Sequence, residues 1–159
     1  MTEPGNGSAP AFEVRTGNEK APGAPPLHRA ATVKTAFDAL LNIRTLMNAE
    51  AADPLATTAE WERRQPVRAI ALCLEAAGIP PSAVDVDGQP VATGYRVDPA
   101  EPPAVARIEW LGPPGSGAAH QEQEELRRCG SALRALGWQA LEYRGPRRHW
   151  YLEVEPLQQ

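Results

Sequence analysis

The chain has 159 residues, a length that predicts about one domain. Its net charge of −4 argues against a general nucleic-acid coat, because phosphate binding draws on an excess of Lys and Arg. No apolar run approaches the roughly 20 residues that span a bilayer, and the first residues lack the basic start and apolar stretch of a secretory signal. A cytoplasmic location without a membrane partner is therefore expected by default.

The basic residues are uneven in kind, since Lys20 and Lys34 are the only lysines among the 16. Together with abundant Ala, Pro and Gly, this bias is typical of a GC-rich bacterial genome such as that of an actinomycete. The two cysteines, Cys73 and Cys129, each fall on the apolar stripe of a predicted helix, and no CxxC spacing occurs. Free Cys behaves as a small apolar side chain, so both are predicted to be buried, reduced thiols.

Residues 1–31 are rich in Gly, Pro and Ala and predict a disordered arm, because such a segment cannot bury enough apolar surface to offset the entropy of ordering. Phe12–Val14 is a short apolar island within this arm. It is either a docking peptide or, the interpretation favoured by tail composition, a feature without a role.

A helical pair is predicted over residues 32–80. The first helix runs from about Val33 to Ala49 with Thr32 as its N-cap, and its broad apolar stripe suits a core or a partner helix. The second opens with Thr57 and Glu60 as a capping box, and Gly78 ends it. Pro66 either kinks this second helix or begins a new one. The candidate protein-interaction face of the first helix consists of Phe37, Leu40, Leu41, Leu46 and Met47.

Residues 81–159 alternate between a period of two and a period near 3.6. A turn at Asp87-Gly88 precedes two predicted strands, a helix from about Ala118 to Leu136 follows, and a last hairpin folds around Gly145-Pro146. The fold class is α+β: a two-layer sandwich with a mostly antiparallel four-stranded sheet in the order ββαββ, one covering helix and the amino-terminal helical pair. With that pair it makes one globular unit, 32–159. The predicted core includes Val97, Ile108, Trp110, Leu133, Leu136, Trp150 and Leu152.

Two loops resemble ligand-binding motifs only in part. Gly112–Gly117 lies between a strand and a helix, as a phosphate-binding loop does, but Ala118 and Ala119 stand where the Lys and the Ser or Thr are needed. Asp85-x-Asp87-Gly88 contains only part of a calcium loop and is interpreted as a polar turn. Neither the histidines nor the cysteines have metal-ligand spacing, so no metal and no cofactor are predicted.

Catalytic arrangements of the histidines are disfavoured. A Cys129–His149 pair conflicts with strand parity, which directs His149 away from the helix that carries Cys129. Ser116 and His120 near an acid are common residues in a loop. An enzyme would need a concave pocket that holds His120 or His149 beside a carboxylate, and the protein is expected not to be an enzyme.

The charge is polarised along the chain. Residues 61–125 carry ten acids against five bases, whereas residues 126–159 carry three acids against six bases. Arg and aromatic side chains around the last hairpin are the combination that single-stranded nucleic acids bind. The candidate partner or nucleic-acid surface consists of Tyr143, Arg144, Arg147, Arg148, His149 and Tyr151.

The sequence is compatible with two functions. The first is a non-catalytic interaction or adaptor module whose partner is an unidentified protein or a second copy of the chain, since apolar faces exceed what one small core needs. The alternative is a single-stranded nucleic-acid-binding protein that uses the carboxy-terminal hairpin, to which the acidic total is the main objection. A solvated hairpin tip whose arginines pair with the chain's own acids is the simplest structural interpretation.

Overall fold

The computed structural model describes residues 12–23 and 27–157, and its described part is a mixed α+β fold. The helices are α1 (Arg29–Met47), α2 (Glu60–Arg64), α3 (Pro66–Ala76) and α4 (Ala118–Arg134). The strands are β1 (Ala83–Val84), β2 (Pro90–Ala92), β3 (Gly94–Pro99), β4 (Ala106–Leu111), β5 (Trp138–Arg144) and β6 (Trp150–Pro156). The predicted class and a four-stranded antiparallel sheet are confirmed.

The larger sheet has the strand order β3-β4-β6-β5, and α4 lies in the chain between β4 and β5. β1 and β2 form a separate two-stranded sheet that the sequence pattern did not predict. The turn at 85–89 connects β1 to β2. In this turn the Asp85 carboxylate accepts hydrogen bonds from the backbone N–H groups of Asp87 and Gln89 at 2.8 and 2.9 Å. These bonds confirm that Asp85 belongs to a polar turn.

One face of the large sheet forms the core. Alternate residues of β4 and β6 are buried on this inner face, where they meet the apolar stripe of α4. The predicted core residues Val97, Ile108, Trp110, Leu133 and Leu152 are buried, and Leu136 and Trp150 pack partly buried at its margin.

The prediction of a single covering helix is incomplete, because α3 shares the inner face with α4. The Tyr95 hydroxyl of β3 lies 3.2 Å from the carbonyl oxygen of Ala71 in α3 and 2.8 Å from that of Arg15. Residues 69–74 of α3 are all buried, since the sheet lies on one side of this helix and α1 packs on another. A helix with apolar residues on nearly all sides is typical of such a central position.

The helix boundaries differ from the predicted ones at α1. The helix begins at Arg29 rather than Val33, and Thr32 lies in its first turn, where its hydroxyl donates to the His28 carbonyl at 3.0 Å. Arg29 binds the Glu75 carboxylate of α3 at 2.8 Å, a tertiary contact that fixes the earlier start. The predicted N-cap role of Thr32 is therefore wrong.

The predicted capping box at Thr57 and Glu60 is also wrong, and only half of such a box forms two residues later, because the N-cap residue Ala59 has no side-chain acceptor. Glu62 accepts the backbone N–H of Ala59 at 3.0 Å, whereas the Thr57 hydroxyl donates back to the Asp53 carbonyl. Pro66 stands in the first turn of a new helix, so it begins α3 rather than kinking a longer helix. Gly78 ends α3 with a φ of +83°, as predicted.

Residues 12–23 have a defined course, in contrast to the disordered arm predicted for residues 1–31. The Val97 N–H of β3 donates to the Thr16 carbonyl at 2.7 Å, and the Val84 N–H donates to the Glu19 carbonyl at 2.9 Å. Phe12 and Val14 pack partly buried against the core. The prediction used the composition of residues 1–31 as a whole, which is rich in Pro and Gly. That average hides a short stretch whose side chains can pack and whose backbone groups can form hydrogen bonds. Residues 29–31 of the predicted arm belong to α1 and residues 27–28 form a turn before it, whereas residues 1–11 and 24–26 lie outside the described residues.

Within residues 12–23 and 27–157, every helix is too short or too polar to cross a lipid bilayer.

Candidate functional site

The hairpin of β5 and β6 carries the site that the sequence singles out. Tyr143 pairs with Tyr151 across the two strands, and Leu141 pairs with Glu153. Because Leu152 and Val154 point to the core, the alternation of side chains directs these residues to the opposite, outer face of the sheet. Leu141 retains 45% and Tyr143 39% of their accessible surface, so this part of the outer face is open to solvent.

The outer-face aromatics contact one another and an arginine. The rings of Tyr143 and Tyr151 are stacked, with centroids 5.6 Å apart and planes inclined by 19°. The Arg107 guanidinium of β4 lies over the Tyr151 ring at 4.2 Å. Stacked rings and an overlying guanidinium stabilise each other through the ring quadrupole. Tyr151 is therefore engaged on both sides, and Tyr143 is the ring with an open face.

The tip of the hairpin presents two unneutralised arginines. Arg147 and Arg148 are exposed and occupy consecutive left-handed conformations, with φ values of 61° and 62°. The turn is closed by the Gly145 N–H, which donates to the His149 carbonyl at 2.7 Å. Neither arginine forms an ion pair with any acid of the described residues. The interpretation in which the tip arginines pair with the chain's own acids therefore does not hold for these two. Non-glycine residues adopt this conformation at a cost, which the turn closure offsets.

Arg144 and His149 lie on a different side from the tyrosines. Arg144 pairs with Trp150 across the hairpin, and its guanidinium lies 5.3 Å from the centre of the Trp150 ring. His149 precedes β6, so strand alternation does not govern it. Its Nδ1 lies 3.4 Å from Glu122 Oε2 on α4, and the parity prediction that it points away from this helix is wrong. The six residues therefore divide into an outer pair, a tip and an inner pair.

Glu122 is the residue of this site that the sequence pattern did not identify. Its side chain is 7% exposed, and its Oε1 accepts the Trp150 backbone N–H at 2.7 Å while Oε2 faces His149. One carboxylate thus ties the start of β6 to α4. In the sequence, Glu122 is one of several acids early in a helix, a pattern explained by the helix dipole alone.

A cleft of about 200 Å³ runs beside this pair, and it also contacts Trp110, Tyr151 and the Gly145-Pro146 turn. A histidine beside a carboxylate in a hollow is an arrangement that a catalytic site needs. Glu122 is nevertheless held by a backbone amide, and a histidine bound at a hairpin terminus acts equally well as a tether. No thiol lines this cleft among the described residues.

The thiols are poor nucleophiles. Burial raises the pKa of Cys73 to about 12, and burial likewise raises the pKa of Cys129 to about 12. Only the thiolate attacks or ligates, so both side chains are inert near neutral pH. Across residues 12–23 and 27–157, no group of three His, Cys, Asp or Glu side chains is placed to hold a metal ion.

The glycine-rich loop forms an open hollow before α4. Ser116 accepts the Ala118 N–H at 3.3 Å, and Gly117 precedes the helix with a φ of +80°. Ser116 and His120 both line the hollow, but no hydrogen bond joins them within the described part of the chain. None of the described side chains that line this hollow carries a fixed positive charge, so the cation that the phosphate-binding pattern requires is missing there.

The candidate interaction face on α1 divides into two parts. Leu40 is buried, and Phe37 and Leu41 pack partly buried against the core. Leu46 and Met47, at the carboxy-terminal end of the helix, keep 77% and 67% of their accessible surface. The first part of this face is used inside the molecule, and only its end is free for a partner.

No protein-family model, curated protein or solved structure matches this chain.

Proposed function

We propose that this protein is a non-catalytic interaction module whose partner is another protein or a second copy of itself. The observation that supports it best is the open outer face of the large sheet. Leu141 and Tyr143 are exposed on the same face of the edge strand β5, next to charged side chains that can fix a partner's register. Exposed apolar residues that cluster on one face mark interfaces more often than scattered ones do.

The cysteines and the His149–Glu122 pair favour binding over catalysis. Both thiols are buried, and Glu122 already accepts a backbone N–H in addition to its histidine contact. A group that holds a hairpin to a helix is constrained by that task. The pair is therefore proposed to be a structural tether.

Size-exclusion chromatography with light scattering tests the interaction module. We expect a dimer or a copurifying partner, and Tyr143→Ser combined with Leu141→Ser should return the chain to a monomer. Val86→Ser and Val91→Ser, at exposed positions away from this face, form the matched control and should leave the mass unchanged. A strict monomer without any copurifying partner would count heavily against the proposal.

Single-stranded nucleic-acid binding is the second candidate, and the unneutralised tip favours it. Arg147 and Arg148 have no acidic partner among the described residues, and the open face of Tyr143 is available for stacking. Fluorescence anisotropy with an oligothymidylate should then show an affinity that falls steeply with salt. Arg147→Ala with Arg148→Ala should abolish it, whereas Arg64→Ala with Arg68→Ala should not. Absent or salt-independent binding would end this candidate.

A further inference from the structure

The two edge strands of the large sheet, β3 and β5, differ in whether other backbone segments pair with them. At the β3 edge, Val97 donates to the Thr16 carbonyl, Tyr95 donates to the Pro80 carbonyl at 3.0 Å, and Ser82 donates to the Tyr95 carbonyl at 2.8 Å. The chain's own backbone therefore covers that edge. β5 is the other edge, and it has no strand beyond it among the described residues.

The register identifies which backbone groups of β5 are free. Leu157 donates to the Gly137 carbonyl and Gly145 donates to the His149 carbonyl, so both ends of the hairpin place odd-numbered residues against β6. Bonding direction alternates along an antiparallel strand, so the even-numbered residues direct N–H and C=O groups outward. Only the Ala140 carbonyl of this set has a partner within the described residues, the Arg134 side chain at 2.9 Å.

The inner side of this free edge is basic. Arg134 of α4 reaches the Ala140 carbonyl, and Arg127 of the same helix binds Glu142 at 3.1 Å. Arg144 ends the strand. Arg127 and Glu142 form an ion pair, and the Arg144 guanidinium lies over the Trp150 ring. The Arg134 guanidinium, held at the outward-facing Ala140 carbonyl, is therefore surplus positive charge where inner-face side chains of an added strand would project.

The outer side of the same edge is apolar, because Leu141 and Tyr143 project there. An added strand alternates its side chains between the two sides. Its residues would therefore meet arginine and apolar surface in turn. A strand in which acidic and apolar residues alternate is complementary to this pattern.

The geometry points to the β5 edge as a docking site for an extended peptide in which acidic and apolar residues alternate, added to the sheet as a further strand. This inference rests on the proposed function and names its partner. Backbone hydrogen bonds would supply affinity, and the alternating side chains would supply specificity. A second copy is disfavoured as the occupant, because two-fold pairing of β5 strands brings the Arg127 and Arg134 groups of both chains together, and like charges repel.

The test uses the full chain and fluorescein-labelled peptides in anisotropy titrations. A short peptide of alternating Glu and Val should bind. A matched peptide of alternating Lys and Val should bind at least about tenfold more weakly, as a few surface charge contacts imply. A Glu/Val peptide with N-methyl groups on alternate amides should also lose binding, because methylation removes donors of the shared ladder. Equal binding of all three peptides would overturn the inference.

Glu142→Pro and Glu142→Ala are a matched pair of variants. The Glu142 N–H points outward, so proline removes it without taking a bond from the β5–β6 ladder, a position at which an edge strand tolerates proline. Glu142→Pro should weaken the Glu/Val peptide about tenfold or more, whereas Glu142→Ala should bind as well as the parent chain or better. Unchanged affinity in Glu142→Pro, with its circular dichroism spectrum intact, would overturn the inference.

Charge variants keep the question open to test even if the proline variant fails to fold. Arg127→Gln with Arg134→Gln should weaken the Glu/Val peptide about tenfold, and Arg68→Gln on α3 should not. If an oligothymidylate binds and the Glu/Val peptide does not, the hairpin is a nucleic-acid site and the edge inference fails. If neither binds but light scattering shows an oligomer, the edge inference fails while the interaction module stands. A monomer that binds neither and copurifies nothing overturns both.

Discussion

At the scale of single residues, a fully buried ion pair holds the helices together. Arg44 and Glu62 are both 0% exposed, and the guanidinium meets the carboxylate through two bonds of 2.7 and 2.6 Å. Arg44 also donates to the carbonyls of Leu55 and Leu136, which joins α1 to the ends of two other segments. Such a pair is tolerated in a core because each of the three guanidinium nitrogens donates at least one hydrogen bond.

Arg44→Met is expected to lower the free energy of unfolding by about 3–5 kcal/mol, because it leaves the Glu62 carboxylate buried without a counter-ion and two carbonyls without a donor. Urea unfolding followed by circular dichroism measures the change. Arg64→Met removes the exposed ion pair with Glu60 and should cost at most about 1 kcal/mol. Equal losses in the two variants would show that the buried pair has no special weight.

At the scale of elements, the segment 12–20 behaves as part of the sheet rather than as a tail. Gly17 adopts a φ of +96° where the segment crosses β3. A Cβ at this position would collide with the Tyr95 carbonyl oxygen and with the Arg96 Cα. The close approach of two backbones therefore requires glycine here.

Gly17→Ala should dislodge this segment from β3. Trypsin cleavage after Arg15 is expected to accelerate, because the Thr16 carbonyl loses its bond to Val97 and the backbone becomes accessible to the protease. Gly23→Ala has no atom within 4 Å of the new Cβ and should leave the cleavage rate unchanged. An unaltered rate in both variants would mean that the segment is not held by this crossing.

The elements also show what a single sequence can predict. α4 and the last hairpin follow from periodicity, because each has one buried face, and α4 begins at the predicted Ala118. The outward direction of Tyr143 follows from its parity with Leu141 once Leu152 is assigned to the core. The contact of Arg107 with Tyr151 and that of Glu122 with His149 join residues far apart in sequence, and no local pattern specifies such pairs.

At the scale of the whole molecule, burial of the two thiols makes the stability of the fold depend on pH. Cys73 lies in α3 and Cys129 in α4, and both are buried among apolar side chains. Burial disfavours the thiolate, which is why the pKa of each thiol is raised from 9.0 to about 12. The folded state therefore keeps both protons in a range of pH in which the unfolded chain releases them.

Stability should consequently fall in alkaline solution. Below pH 9 both states hold the thiol protons, so the thiols make no pH-dependent contribution; between about pH 9 and 12 only the unfolded chain ionises and is favoured. Raising the pH from about 8 to about 10 should lower the free energy of unfolding by about 1.4 kcal/mol for each thiol. Urea unfolding at the two pH values measures this change.

Cys73→Ala with Cys129→Ala provides the control for the alkaline effect. The double variant starts from a lower stability, because small cavities replace the sulfur atoms, but its loss between the two pH values should be much smaller than that of the parent chain. Burial also raises the pKa of Tyr95, so a residual loss is expected at the upper end of the range. An undiminished loss in the variant would mean that other groups cause it.

The unequal edges of the sheet have a consequence for assembly. The chain's own backbone covers the β3 edge, and no strand among the described residues covers the β5 edge. Open-ended polymerisation through β-strand pairing requires two uncovered sheet edges on every subunit, because each added subunit must offer an edge to the next one. With a single uncovered edge, strand addition stops after one strand. The sheet can therefore bind one further strand without propagating into a fibril.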